Sequence, residues 1–96
     1  MTLTGFYKEE ELIMSNTGTV YLVRYYDSKK DADDAIYVFI PKVTPACFSL
    51  AKYISSYLYP EEEDERLVFV ISYEKIQETT RKTIKEFSID IVDIDI

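Results

Sequence analysis

Apolar residues recur at every second position in the first half of the chain and at every third or fourth later on, so strands are expected before helices. Residues 11–15 (ELIMS) and 19–26 (TVYLVRYY) flank Asn16-Thr17-Gly18, a short turn signal of the kind that closes a β-hairpin. In the second run Val20, Leu22 and Arg24 alternate with Tyr21, Val23 and Tyr25, which leaves both faces partly apolar. A polar stretch, DSKKDADD (27–34), leads to AIYVFIPK (35–42), where Ile36, Val38 and Ile40 share one face and Tyr37 and Phe39 the other. The β-branched and aromatic content predicts three strands in an antiparallel meander.

The period changes at Thr44-Pro45. Thr is a good N-cap and Pro suits the first helical position, so a helix is expected from here. Cys47, Leu50, Ile54 and Leu58 form its inward stripe, Ala51 and Tyr57 widen it, and Pro60 stops it. RLVFVIS (66–72) is a continuous apolar run, the pattern of a central strand buried on both faces. Ser72 is placed to cap a second helix over 74–87, with Ile76, Thr80, Thr83, Ile84 and Phe87 inward. IDIVDIDI (89–96) reads as a last strand whose Asp90, Asp93 and Asp95 would blunt an exposed sheet edge. The expected order is β-β-β-α-β-α-β over one domain, 1–96. That is an α/β (α+β) arrangement with a mixed sheet and two helices, on opposite faces or on one. Residues 2–10 add a short helix or a further strand.

Composition narrows the function. Hydrophobic residues make up 47% and charged residues 30%, the profile of a folded globular domain. No apolar run is long enough to span a bilayer, and the N-terminus has no basic-then-apolar leader pattern. A single cysteine, Cys47, fits a reducing, cytoplasmic setting and reads as a small buried apolar residue. His is absent, which removes the commonest general base and metal ligand, so no catalytic residue, metal or cofactor is expected.

The 18 acids against 11 basic residues leave a net charge of −7, and the acids are clustered. One group is Asp31, Asp33 and Asp34 beside Asp27, and another is Glu61, Glu62, Glu63, Asp64 and Glu65. Phosphate contacts from Lys and Arg dominate nucleic-acid affinity, so this balance argues against direct nucleic-acid binding. It suits instead a protein partner with a basic surface, with these carboxylates in contact and Tyr59 as an anchor. In size and charge the chain resembles phage anti-defence proteins, anti-CRISPR proteins among them, which implies an inhibitor or nucleic-acid mimic. The alternative uses Lys75, Arg81, Lys82 and Lys85 on the expected helix 74–87 to touch nucleic acid. A monomer or an edge-strand homodimer through 89–96 is expected.

The predicted order is also that of the restriction-endonuclease-like fold, whose nucleases carry an acid on one strand and (D/E)-x-K on the next. Here the position two before Lys42 is Ile40, and Arg24 and Tyr26 stand where a shifted motif would need an acid and Lys. From Thr19 onward TVYLV, the acidic loop, AIYVFIPK, a helix, LVFVIS, a helix and a closing strand are similar to the N-terminal jaw domain of the fifth subunit shared by eukaryotic nuclear RNA polymerases. The resemblance implies a degenerate restriction-endonuclease-like domain without nuclease activity, in a family that contacts downstream DNA.

Overall fold

A computed structural model describes residues 16–44, 48–64 and 66–94. Four strands form a mixed sheet in the order β3-β1-β2-β4. Strands β1 (Thr17–Asp27) and β2 (Ala32–Pro41) are joined by the loop 28–31 and pair antiparallel from Gly18↔Pro41 to Asp27↔Ala32. Asp31 closes that loop in the left-handed region (φ 50°), a conformation that short polar side chains tolerate. On the other edge of β1 lies β3 (Val68–Thr80), also antiparallel; β4 (Ile91–Asp93) pairs parallel with β2 through Tyr37–Phe39.

The period-two pattern sorts the core into two faces. Val23, Tyr25, Val38, Val68 and Ile94 form one buried cluster with Ile54, and Ile36 and Ile40 pack against it. Val20 and Phe39 form the other with Ile84, flanked by Tyr37, Phe87 and Ile91. The first face is covered by α1 (Leu50–Leu58), capped by Ser49, whose Oγ accepts from the Lys52 amide at 3.4 Å. The second is covered by α2, a single turn over Arg81–Ile84 capped by Thr80, and by the residues after it. One helix therefore lies on each face. Burial of side chains this size stabilises by about 1.5–3 kcal/mol each, so both clusters matter to a small domain.

Several expectations change. Thr17 and Gly18 belong to β1 rather than to a turn, and the expected first strand, 11–15, lies outside the described residues. Residues 2–10 do as well, and so do Cys47, Glu65 and Asp95. The first described helix begins at Leu50, not Thr44-Pro45. The segment 66–72 is not a central strand but the start of β3, which runs along the sheet edge. The helix expected over 74–87 is absent: 74–80 continue β3, and only 81–84 are helical. The cause is tertiary. The long strand β1 has β2 on one edge and takes β3 along the whole of the other, from Asp27↔Val68 to Thr17↔Thr80. That ladder outweighs the helix propensity of Glu74, Lys75, Gln77 and Glu78. The last strand covers 91–93, not 89–96.

Candidate functional site

The two acidic segments meet at one end of the sheet, and a small polar latch holds them there. Asp27, the last residue of β1, is only 2% exposed. Its Oδ1 accepts from the Lys29 and Lys30 amides at 3.0 and 3.3 Å, which fixes the hairpin loop. Its Oδ2 accepts from the Tyr59 hydroxyl at 2.6 Å, and Tyr59 is the residue that ends α1. The Lys29 ammonium lies 4.9 Å from the centre of the Tyr59 ring and pairs with Glu62 in the turn beyond it. Ser28 adds two contacts, donating its amide and its hydroxyl to the Leu67 carbonyl at 2.9 and 2.7 Å.

The protonation behaviour follows from this geometry. Burial pushes the Asp27 carboxyl up, but the Tyr59 hydroxyl, the two loop amides and the Lys30 charge together outweigh it and hold the carboxyl below its ordinary value. Donating to that carboxylate, with burial added, pushes the Tyr59 phenol up to about 12. The Tyr26 hydroxyl donates to Asp31, and this bond is the main reason its own value is raised. Tyr25 is raised chiefly by burial, with Asp34 and Asp27 nearby.

Around the latch the carboxylates are open to solvent. Asp31, Asp33 and Asp34 are exposed on the loop and the start of β2, and Glu61, Glu62, Glu63 and Asp64 are exposed on the turn after α1. Asp64 accepts from the Arg66 amide at 2.9 Å and lies 3.6 Å from its guanidinium. The described residues of 27–34 and 59–67 hold eight of the 18 acids and three of the 11 basic residues, a net charge of −5 at one end. Tyr59 does not stand free as an anchor, because its hydroxyl is committed to Asp27. Among the described residues no three acids converge as a metal site would require.

The four basic residues expected on one helix are dispersed. Lys75 lies on β3 and pairs with Glu78 at 3.1 Å. Arg81 is bound to Asp93 at 2.7 Å (Oδ1) and 2.6 Å (Oδ2), donates to the Ile94 carbonyl at 3.2 Å, and stacks 5.4 Å from the Phe39 ring. This fork ties α2 to β4, so Arg81 is a structural residue. Lys82 and Lys85 are exposed at the opposite end of the sheet from the acids, with Lys42.

The sequence reading missed two features. Asp27 was grouped with its acidic neighbours, although its partner Tyr59 is 32 residues away. The exposed apolar edge of β3 was hidden inside an expected helix, though Tyr73, Ile76, Thr79 and Thr80 carry a strand-like composition. No family model, no curated protein and no solved structure matches this chain. No helix among the described residues is long and apolar enough to cross a membrane.

Proposed function

We propose that the protein is a non-catalytic interaction module of the cytoplasm that presents its acidic end to a basic surface of a nucleic-acid-handling protein, as an inhibitor or nucleic-acid mimic. The observation that carries this reading is the convergence of the 27–34 and 59–67 segments. Five units of net negative charge gather among the described residues where α1, the hairpin loop and the start of β3 meet. Clustered charge of one sign steers association with a surface of the opposite sign, and the attraction is screened over a Debye length of about 8–10 Å. The latch contributes by holding the loop and the turn in place before binding, which lowers the ordering cost on association. A degenerate restriction-endonuclease-like scaffold without the acid-x-Lys signature fits such a role.

The test is affinity capture from native lysate at low salt with two variants beside the parent. In one, Glu61, Glu62, Glu63 and Glu65 become Gln and Asp64 becomes Asn; in the other, Asp31, Asp33 and Asp34 become Asn. Each variant is expected to lose the captured partner, and roughly 0.5 M salt is expected to release it from the parent. Capture unchanged by both sets of substitutions refutes the reading. The same protein is expected to leave a DNA duplex unshifted in a low-salt gel. A shift abolished by Lys82→Glu with Lys85→Glu would put nucleic acid in place of the protein partner.

A further inference from the structure

β3 is 13 residues long and lies at the edge of the sheet, and no strand among the described residues pairs with its outer side. Its open backbone groups run for roughly 40 Å. Four of the seven large apolar side chains exposed among the described residues sit on it: Phe69 at 56%, Ile71 at 57%, Tyr73 at 66% and Ile76 at 46%. An edge of this length and apolarity is a template for another strand. Ile71 and Ile76 are extra residues relative to β1, so β3 bulges at both, and Ser72–Lys75 between them is regular.

The charge distribution selects the occupant. The start of β3 adjoins the acidic end, and its finish at Thr80 adjoins Lys82, Lys85 and Lys42, with Glu86 beside them and Glu78 paired to Lys75. Antiparallel pairing of two identical edges sets the acidic end of each copy beside the lysine-bearing end of the other. Parallel pairing would set acid against acid. We propose that the protein self-associates through its β3 edges about a two-fold axis at Tyr73.

The register follows from the same residues. A two-fold axis normal to the sheet keeps side chains on their own face only where a residue meets its own copy at the axis. Centring on Glu74 or Lys75 opposes like charges directly, and centring on Ile76 opposes Glu74 to Glu78. Centring on Tyr73 opposes no like charges and has the longest overlap of the registers that avoid them. Ser72 then faces Glu74, Ile71 faces Lys75, and the two Tyr73 rings meet. This places the seam on the edge opposite β4, not on the 89–96 segment that the sequence suggested. Asp31, Asp33 and Asp34 stay on the β2 side, clear of the seam, while Glu61 to Asp64 adjoin it, so the 31–34 half of the proposed partner surface stays open in the dimer.

Sedimentation velocity from about 1 to 100 µM tests the association. The expected result is a species of twice the 11.3 kDa chain mass. Ser72→Glu is expected to weaken the dimer roughly fivefold or more, because two like-charge pairs form across the axis, and Ser72→Lys to tighten it. Both substitutions are at an exposed position, and circular dichroism checks that the fold is kept. With Cys47→Ser as background, Tyr73→Cys is expected to oxidise to a disulfide-linked dimer and Lys75→Cys to remain monomeric on a non-reducing gel. A monomer across the whole range overturns the proposal and gives the edge to a strand of another protein. Equal cross-linking at Lys75→Cys and Tyr73→Cys overturns it too.

Discussion

Asp27→Ala removes the one buried carboxylate on which the hairpin loop and the end of α1 both depend. Three hydrogen bonds end on it, two from loop amides and one from Tyr59. A hydrogen bond to a charged group contributes about 1.5–3 kcal/mol taken singly. The three do not add, because the exposed loop amides and the half-buried Tyr59 hydroxyl can turn to water once the carboxylate is gone. A loss of about 3 kcal/mol is expected, a large part of the 5–15 kcal/mol that holds a typical domain together. For a chain of this size that lowers Tm by roughly 12–24 °C. Asp27→Asn keeps an acceptor for the loop amides and lets Tyr59 accept in return, so it costs only about 1 kcal/mol. The pH dependence has a definite sign. The carboxyl is held below its ordinary 3.8, so its contribution is complete well above that value and is lost as pH falls through the native one. Urea unfolding followed by far-UV circular dichroism should therefore show the gap between parent and Asp27→Ala at its widest near neutral pH and narrowing as pH falls below 3.8 through the native value. A gap below about 1 kcal/mol at neutral pH, or one that fails to narrow in acid, refutes the reasoning.

The same latch has an alkaline limb. Tyr59 is raised from 10.0 to about 12, so its bond is intact below pH 10 and lost as pH climbs through 12. Tyr59→Phe should be less stable than the parent at neutral pH, with the gap closing across that window in urea melts. Tyr25 and Tyr26 titrate in the same direction in both proteins and drop out of the difference. In a double-mutant cycle Tyr59→Phe should add little to Asp27→Ala. Arg81→Ala should cost about 2–3 kcal/mol by chemical denaturation, since it leaves Asp93 and the Ile94 carbonyl short of partners. Arg81→Lys should recover less than half of that, because an ammonium cannot reproduce the fork or the stack on Phe39. Gly18→Ala should lower stability by about 2 kcal/mol or more in the same assay. An added Cβ would lie 2.8 Å from the Phe39 ring and 2.9 Å from the Pro41 Cα, and closer still to the Ile40 carbonyl.

The central hairpin was legible because burial imposes a period of two on it. Ile36, Val38 and Ile40 were read onto one face and Tyr37 and Phe39 onto the other, and the two core clusters divide that way. β3 was misread because an edge strand lacks that constraint. From Ser72 to Glu78 every side chain is exposed, so burial imposes no alternation on the sequence there. Spaced apolar residues such as Ile76, Ile84 and Phe87 then mimic a helical stripe. What makes 74–80 a strand is the open edge of β1, a partner roughly 50–60 residues away that no local window contains.

The acidic end shows the same limit in electrostatic form. The charge clusters at 31–34 and 61–65 are plain in the sequence, but their union depends on the chain passing through β2 and α1 to return beside its own hairpin loop. Asp27, Asp31, Asp33 and Asp34 are the same residue type within eight positions, yet one is buried and bonded three times while the others face water. The difference comes from pleat and position. Asp27 ends β1 on the face that α1 covers, where Tyr59 can reach it; Asp33 and Asp34 follow the turn with no such neighbour. Like charges drawn together at one end repel, and the structure meets that cost locally, with Lys29 set between Glu62 and the Tyr59 ring and Arg66 set on Asp64. These pairs are exposed and individually weak. They leave most of the negative field intact, so the end stays folded without being neutralised, as the proposed attraction of a basic partner requires.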